Sequence, residues 1–150
     1  MEIAQPSNEQ VLAYLGRAKR EAPVHAPWHP GPEGYFRCGC HPDIVERLWE
    51  QLGATLPTGS RCFILGVPTL IQPESGVILA IGIGTQYGLR LPGALGAEAI
   101  KAGAATQTTW STGEKMDTRH ELGPDWVFGA WLAGEPGWVR QVCVQFAPKV

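Results

Sequence analysis

The sequence predicts an α+β domain built on an antiparallel β-meander sheet of three to five strands, with helices packed on one face. Two observations carry this expectation. Three apolar runs, 61–72, 77–83 and 86–91, follow one another across short turns marked by glycine and proline, and short turns join antiparallel neighbours. Ahead of them, Ile44, Val45, Leu48, Trp49 and Leu52 recur at helical spacing and form one apolar stripe that must be covered. With 150 residues the chain fits one domain, 1–150, and a domain of that size buries roughly 68–70% of its unfolded surface.

Taken in order, Ser7-Asn8-Glu9-Gln10 has capping-box spacing, with Ser7 at the N-cap. Val11, Leu12, Leu15 and Ala18 then follow at helical intervals, and the helix should end near Arg20, where basic residues suit its negative end. Residues 22–34 hold four prolines and two glycines and read as an extended connector, since proline lacks the helix donor and restricts the residue before it. Tyr35 to Cys40 reads as a short strand. Pro42 suits a first helical position, Asp43 and Glu46 complement the helix dipole, and Gly53 stops the 42–52 helix.

In the sheet region, Pro73 to Gly76 marks one turn and Gly84-Thr85 another. Pro68 inside the first run predicts that this strand is broken there or lies at an edge, because proline cannot donate to a ladder. Ala94 to Ala102 reads as a second helix closed by Gly103. Residues 105–124 read as polar loop with a strand through Thr108–Trp110. Asp125 to Leu132 is too short and mixed to assign by period, and Val139 to Phe146 reads as a closing helix or strand.

Composition narrows the function classes. Charged residues make up 17% of the chain, below the roughly 25% typical of soluble domains, so much of the surface is neutral or apolar and leans towards a partner. A formal charge of −2 provides no basic field to gather nucleic acid. The longest apolar run, Gly76 to Gly84, is far below the roughly 20 residues that span a bilayer, so no membrane association is expected. The first residues show neither a basic segment nor an apolar export segment, which makes the cytoplasm the expected compartment.

Four candidate chemistries deserve weighing. Cys38, Cys40 and His41 could supply soft ligands to zinc, but zinc sites pair two such halves and no second half is visible, so no metal or cofactor is expected. Cys40 precedes a helix N-terminus beside His41, which could depress a thiol pKa; neighbouring strand residues point to opposite faces, however, and His41 more simply caps the helix. Cys62 and Cys143 sit in apolar runs where cysteine packs as a small hydrophobe. Gly82-Ile83-Gly84-Thr85-Gln86-Tyr87-Gly88 has the wrong spacing for a phosphate loop and leads into a strand, so its glycines serve a turn and close backbone approach.

The fourth feature is aromatic. Of six tryptophans, Trp126, Trp131 and Trp138 cluster in the C-terminal third among scattered carboxylates, and tryptophan is enriched at binding hot spots. The expected partner-binding surface comprises Trp110, Asp125, Trp126, Trp131, Glu135 and Trp138. Packing of the same segment on an open sheet face is the competing reading.

The stretches YFRCGCHPDIVERLWEQLG, GVILAIGIGTQYGLRLP and GPDWVFGAWLAGEPGW resemble a family of small bacterial cytosolic proteins, a likeness that implies no activity. The helix followed by LGVPTLIQPESGVILAIGIGTQYGLRLP is similar, over a shorter span, to the helix and meander of the TfoX N-terminal and YjbR-like domains. That likeness implies an antiparallel meander and DNA association, which the missing basic patch opposes. Small size, low charge and clustered indoles together point to a non-catalytic protein-binding protein, specifically an immunity protein neutralising a cytosol-acting bacterial toxin. The alternative is a small thiol- or zinc-dependent enzyme centred on Cys38, Cys40 and His41.

Overall fold

A computed structural model describes residues 2–17, 21–28, 40–106, 108–111, 116–120, 122–130 and 132–149, with 108–111 and 116–120 described by backbone alone. The expected strand at 35–40 falls outside these residues except for Cys40, which bridges Gly84 in parallel. The fold is α+β, as expected, but its antiparallel sheet has six strands where three to five were expected. They are β1 (His25–Pro27), β2 (Arg61–Ile64), β3 (Val67–Ile71), β4 (Ile78–Ile83), β5 (Gln86–Arg90) and β8 (Trp126–Gly129), adjacent in that order. A separate two-stranded ribbon joins β6 (Thr108–Ser111) to β7 (Met116–His120).

Two of the additional strands have simple origins. The 61–72 run is not one strand but a hairpin, turning at Leu65-Gly66 with φ of 50° and 77°. Positive φ at both central residues is the geometry that matches strand twist, and it normally calls for Asn-Gly. Leucine at the first position concealed the turn. The other is β1, formed from the proline-rich connector and paired with β2 at the sheet's edge.

Pro68 was expected at an edge or a break, yet β3 has a neighbour on each side. The hairpin explains how. Ile64 and Val67 close the two-residue turn, so the next pair, Phe63 and Pro68, exchanges no backbone bonds and leaves the proline nitrogen facing β4. Pairing with β4 starts only at Thr69, so the missing donor breaks no ladder bond.

Between Leu70 and Ile71 the β3–β4 register slips by one residue. The extra residue in β4 lets Leu79 and Ala80 both join one core while Ile78 and Ile81 join the other. Both sheet faces are therefore covered, which explains the near-continuous apolar run of β4.

One face receives the stripe expected at 42–52. Here α2 (Pro42–Glu46) runs on through a π-helical segment (Arg47–Leu52) instead of staying α-helical to Gly53. Ile44, Val45, Leu48, Trp49 and Leu52 are all buried. Trp49 donates its indole N–H to the Thr69 carbonyl at 3.3 Å and meets Phe63 edge-on at 4.9 Å. Complete burial of each large apolar side chain stabilises by about 1.5–3 kcal/mol. Two further helices, α3 (Ala94–Lys101) and α4 (Glu135–Gln145), contribute Ala99, Val139, Val142 and Cys143 to this core.

The other face carries α1 (Glu9–Gly16), whose Val11, Tyr14 and Leu15 pack with Ile64, Ile78 and Phe128. Helices thus cover both faces, beyond the one-sided packing expected. Ser7 does not cap this helix: Pro6–Asn8 forms a 3-10 turn and the following helix has no side-chain cap. Asn8, which holds the N-cap position, is committed elsewhere: its side-chain amide is fully buried and donates to the Ile3 and Gly76 carbonyls at 2.8 and 2.9 Å while accepting from the Ile78 amide at 2.9 Å. Such buried backbone groups are costly to leave unpaired. The expected extension to Arg20 lies outside the described residues.

Candidate binding surfaces

Cysteine chemistry is the simplest to place. Cys40 is 6% exposed, and a Cβ added to Gly82 would lie 3.1 Å from its sulfur, so the bare glycine makes room for the thiol among Ile44 and Leu48. Gly82 therefore supports close approach, as expected of the glycine run. His41 faces outward, and its Nδ1 accepts from the Asp43 amide at 3.1 Å, capping α2. That ring nitrogen is occupied by the cap, not turned to the thiol as a base would be. Cys38 lies outside the described residues.

The remaining thiols are also buried. Burial pushes the Cys62 thiol up to about 12, and burial first, then the Glu74 carboxylate, pushes the Cys143 thiol up. Both changes favour the protonated, weakly nucleophilic form. Among the described residues no group of three or more His, Cys, Asp and Glu is placed to hold a metal ion.

Of the surface expected around the tryptophans, two residues lie inside. Trp126 is 4% exposed and Glu135 fully buried; both are corrections to the expected partner surface. Strand alternation turns Trp126 into the core shared with α1, because β8 completes the sheet there. Trp138 is half-buried and packs on the opposite core, its indole against Gly134. The Trp110 side chain and Trp131 lie outside the described residues. Asp125 is partly exposed, beside a cleft considered below.

Glu135 is buried for a definite reason. Its carboxylate pairs with the Arg47 guanidinium, which also donates from Nη1 to Gln51 Oε1 at 2.6 Å and lies 5.9 Å from the Tyr87 ring centre. The Tyr87 hydroxyl in turn accepts from the Leu132 amide at 3.2 Å. Arg47 opens the π-helical segment and Glu135 opens α4, so the pair ties these elements together across β5. It fixes the attitude of α4 on the sheet.

That attitude matters because the outer side of α4 borders a broad concavity. A groove of about 660 Å³ runs between α4, the 55–57 loop and the 72–74 turn. Cys143, Val144, Ala147 and Pro148 supply its apolar wall, while Arg140 and Glu74 line it with opposite charges. Val144 is 70% exposed, the most exposed of the large apolar side chains described. A shallower hollow, lined by Gly137, Arg140, Gln141, Val144 and Gln145, continues past it.

Sequence reasoning missed this groove. Val139, Val142 and Cys143 follow the buried stripe of α4, whereas Val144 falls out of phase with it. An out-of-phase valine was a usable signal once the segment was known to be helical. Its period was hidden by Pro136, Gly137 and the uncertain helix start.

A second concavity, of about 260 Å³, lies on the other side of the sheet, between the start of α1 and the loop entering β8. Arg90, Asp125, Trp126, Ser7, Glu9 and Gln10 line it. Burial lowers the Arg90 pKa and Asp125 opposes that shift.

No family model matches the chain, and no curated protein or solved structure matches it either.

Proposed function

We propose that this chain is a non-catalytic protein-binding protein whose partner occupies the groove along α4, and that the partner is the active domain of a toxin that this chain neutralises. The observation that carries the reading is Val144, an apolar side chain held in solvent between two concavities and flanked by Arg140 and Glu74. Exposed apolar surface rimmed by polar groups is typical of interaction sites. The opposite charges define the partner's chemistry: an amphipathic segment with an apolar anchor, an acidic group for Arg140 and a basic group for Glu74. The low charge content supports the same reading, as does the commitment of Cys40, Cys62 and Cys143 to the core.

The test begins with capture by the intact chain from its source cells, followed by recombinant preparation of the captured protein. Val144→Asp should weaken that purified pair by at least ~30-fold, as expected for a central anchor worth about 2 kcal/mol. Ile100→Asp, on exposed surface of α3, should leave it unchanged. The captured protein should also lose its toxic activity when the intact chain is added. Equal binding by both variants, or self-association of the chain through this groove, overturns the reading.

A further inference from the structure

We infer that the cleft between α1 and the loop entering β8 is a binding site for a compact zwitterion of the free α-amino-acid class, independent of the α4 groove. The central observation is Arg90, which is 7% exposed and lines the cleft. Its Nε donates to the Ile78 carbonyl at 2.7 Å, and its Nη2 donates to the Ser7 carbonyl at 2.8 Å. Nη2 also lies 3.5 Å from Asn8 Oδ1, and the guanidinium carbon lies 5.1 and 5.7 Å from the ring centres of Trp126 and Phe146. These contacts hold the planar group in one orientation. Its Nη1 amino group has no hydrogen-bond partner among the described residues. A buried cation with two committed nitrogens and one spare is preorganised to receive an anion.

The surrounding charges select the kind of anion. Asp125 interacts with Arg90 through space but makes no ion-pair contact with it, and Glu9 adds a second carboxylate to the lining. A simple anion would gain Arg90 and be repelled by both acids; a simple cation would meet the reverse. A molecule carrying carboxylate and ammonium a few ångströms apart satisfies both sides, with its carboxylate on Nη1 and its ammonium towards Asp125 and Glu9. The volume, about 260 Å³, equals roughly nine waters at about 30 Å³ each, which leaves room for a free amino acid. Gln10 adds an amide to the rim, held close by Gly123, where φ is +119° and a Cβ would clash at 2.6 Å with Gln10 Oε1.

The experiment is a titration of the full chain with each of the twenty L-amino acids, followed by NMR of the Trp126 indole N–H and the Arg90 Nε–H. Ethylamine and propionate serve as single-charge controls. At least one amino acid should saturate both signals, with neither control matching it at ~tenfold higher concentration. Asp125→Asn should weaken that amino acid ~tenfold or more while its melting curve stays that of the parent. Absence of saturation by every amino acid overturns the inference. So does propionate or ethylamine binding as tightly as the amino acid, or undiminished binding by a folded Asp125→Asn variant.

Discussion

Arg47→Met and Glu135→Leu should both destabilise the fold, and by different amounts. Breaking a buried ion pair from one side costs about 3–5 kcal/mol, because the remaining charge is left without compensation. The structure ranks the two. Without Glu135, Arg47 keeps Gln51, the Leu132 carbonyl at 3.4 Å, the Tyr87 ring and a side chain 14% exposed to solvent. Without Arg47, Glu135 is fully buried and, among the described residues, keeps only its place in the first turn of α4. Glu135→Leu should therefore lie near 3 kcal/mol and Arg47→Met near 5, against a total stability of about 5–15 kcal/mol. The double variant should recover to within about 1 kcal/mol of the parent, since two apolar groups leave no orphaned charge. Urea unfolding followed by tryptophan fluorescence measures all three, given an unchanged dependence on urea. A loss below about 1 kcal/mol for Arg47→Met, or a double variant weaker than either single, would refute the assignment of this pair as the tie between the π-helical segment and α4.

Other expectations concern backbone space, thiols and the groove. Gly16→Ala should stabilise by about 0.5–1 kcal/mol, since nothing lies within 4 Å of the added carbon at this helical position. Gly96→Ala, also helical, should instead destabilise by about 1–3 kcal/mol, because its Cβ would sit 2.5 Å from the Leu91 carbonyl oxygen; thermal melts of the two variants decide. The Cys62 thiol has a folded pKa of about 12, raised above the unfolded value of 9.0, so its contribution is complete below pH 9 and is lost as pH rises towards 12. Stability of the parent should fall more steeply than that of Cys62→Ala across that window in alkaline unfolding curves. Val144→Asp should change stability by less than about 0.5 kcal/mol in the same urea assay, as befits an exposed side chain.

Much of the scaffold was legible in the sequence because local and global preferences agree there. The 42–52 stripe, the Gly84-Thr85 turn and the 94–102 helix all appear where spacing and turn residues placed them. Failures arose where one local rule was overridden. Leu65 adopts a left-handed conformation better suited to asparagine, hiding the β2–β3 hairpin, and Asn8 turns from capping to satisfying backbone groups of the 76–78 segment. Glu135 shows the limit for sites. An acid in an apolar, tryptophan-rich segment reads as surface until its partner Arg47, 88 positions earlier in the chain, is brought against it. The Arg90 cleft was likewise invisible, because its lining comes from three separate stretches of sequence.

A photo-crosslinking residue placed at position 144, compared with the same residue at position 100, tests most directly where this chain meets its partner. Ultraviolet exposure in the source cells should yield one heterologous adduct from position 144, mapped to an amphipathic segment of a toxin, and none from position 100. Adducts at position 100 alone, or adducts at 144 only with a second copy of this chain, would contradict partner binding along α4.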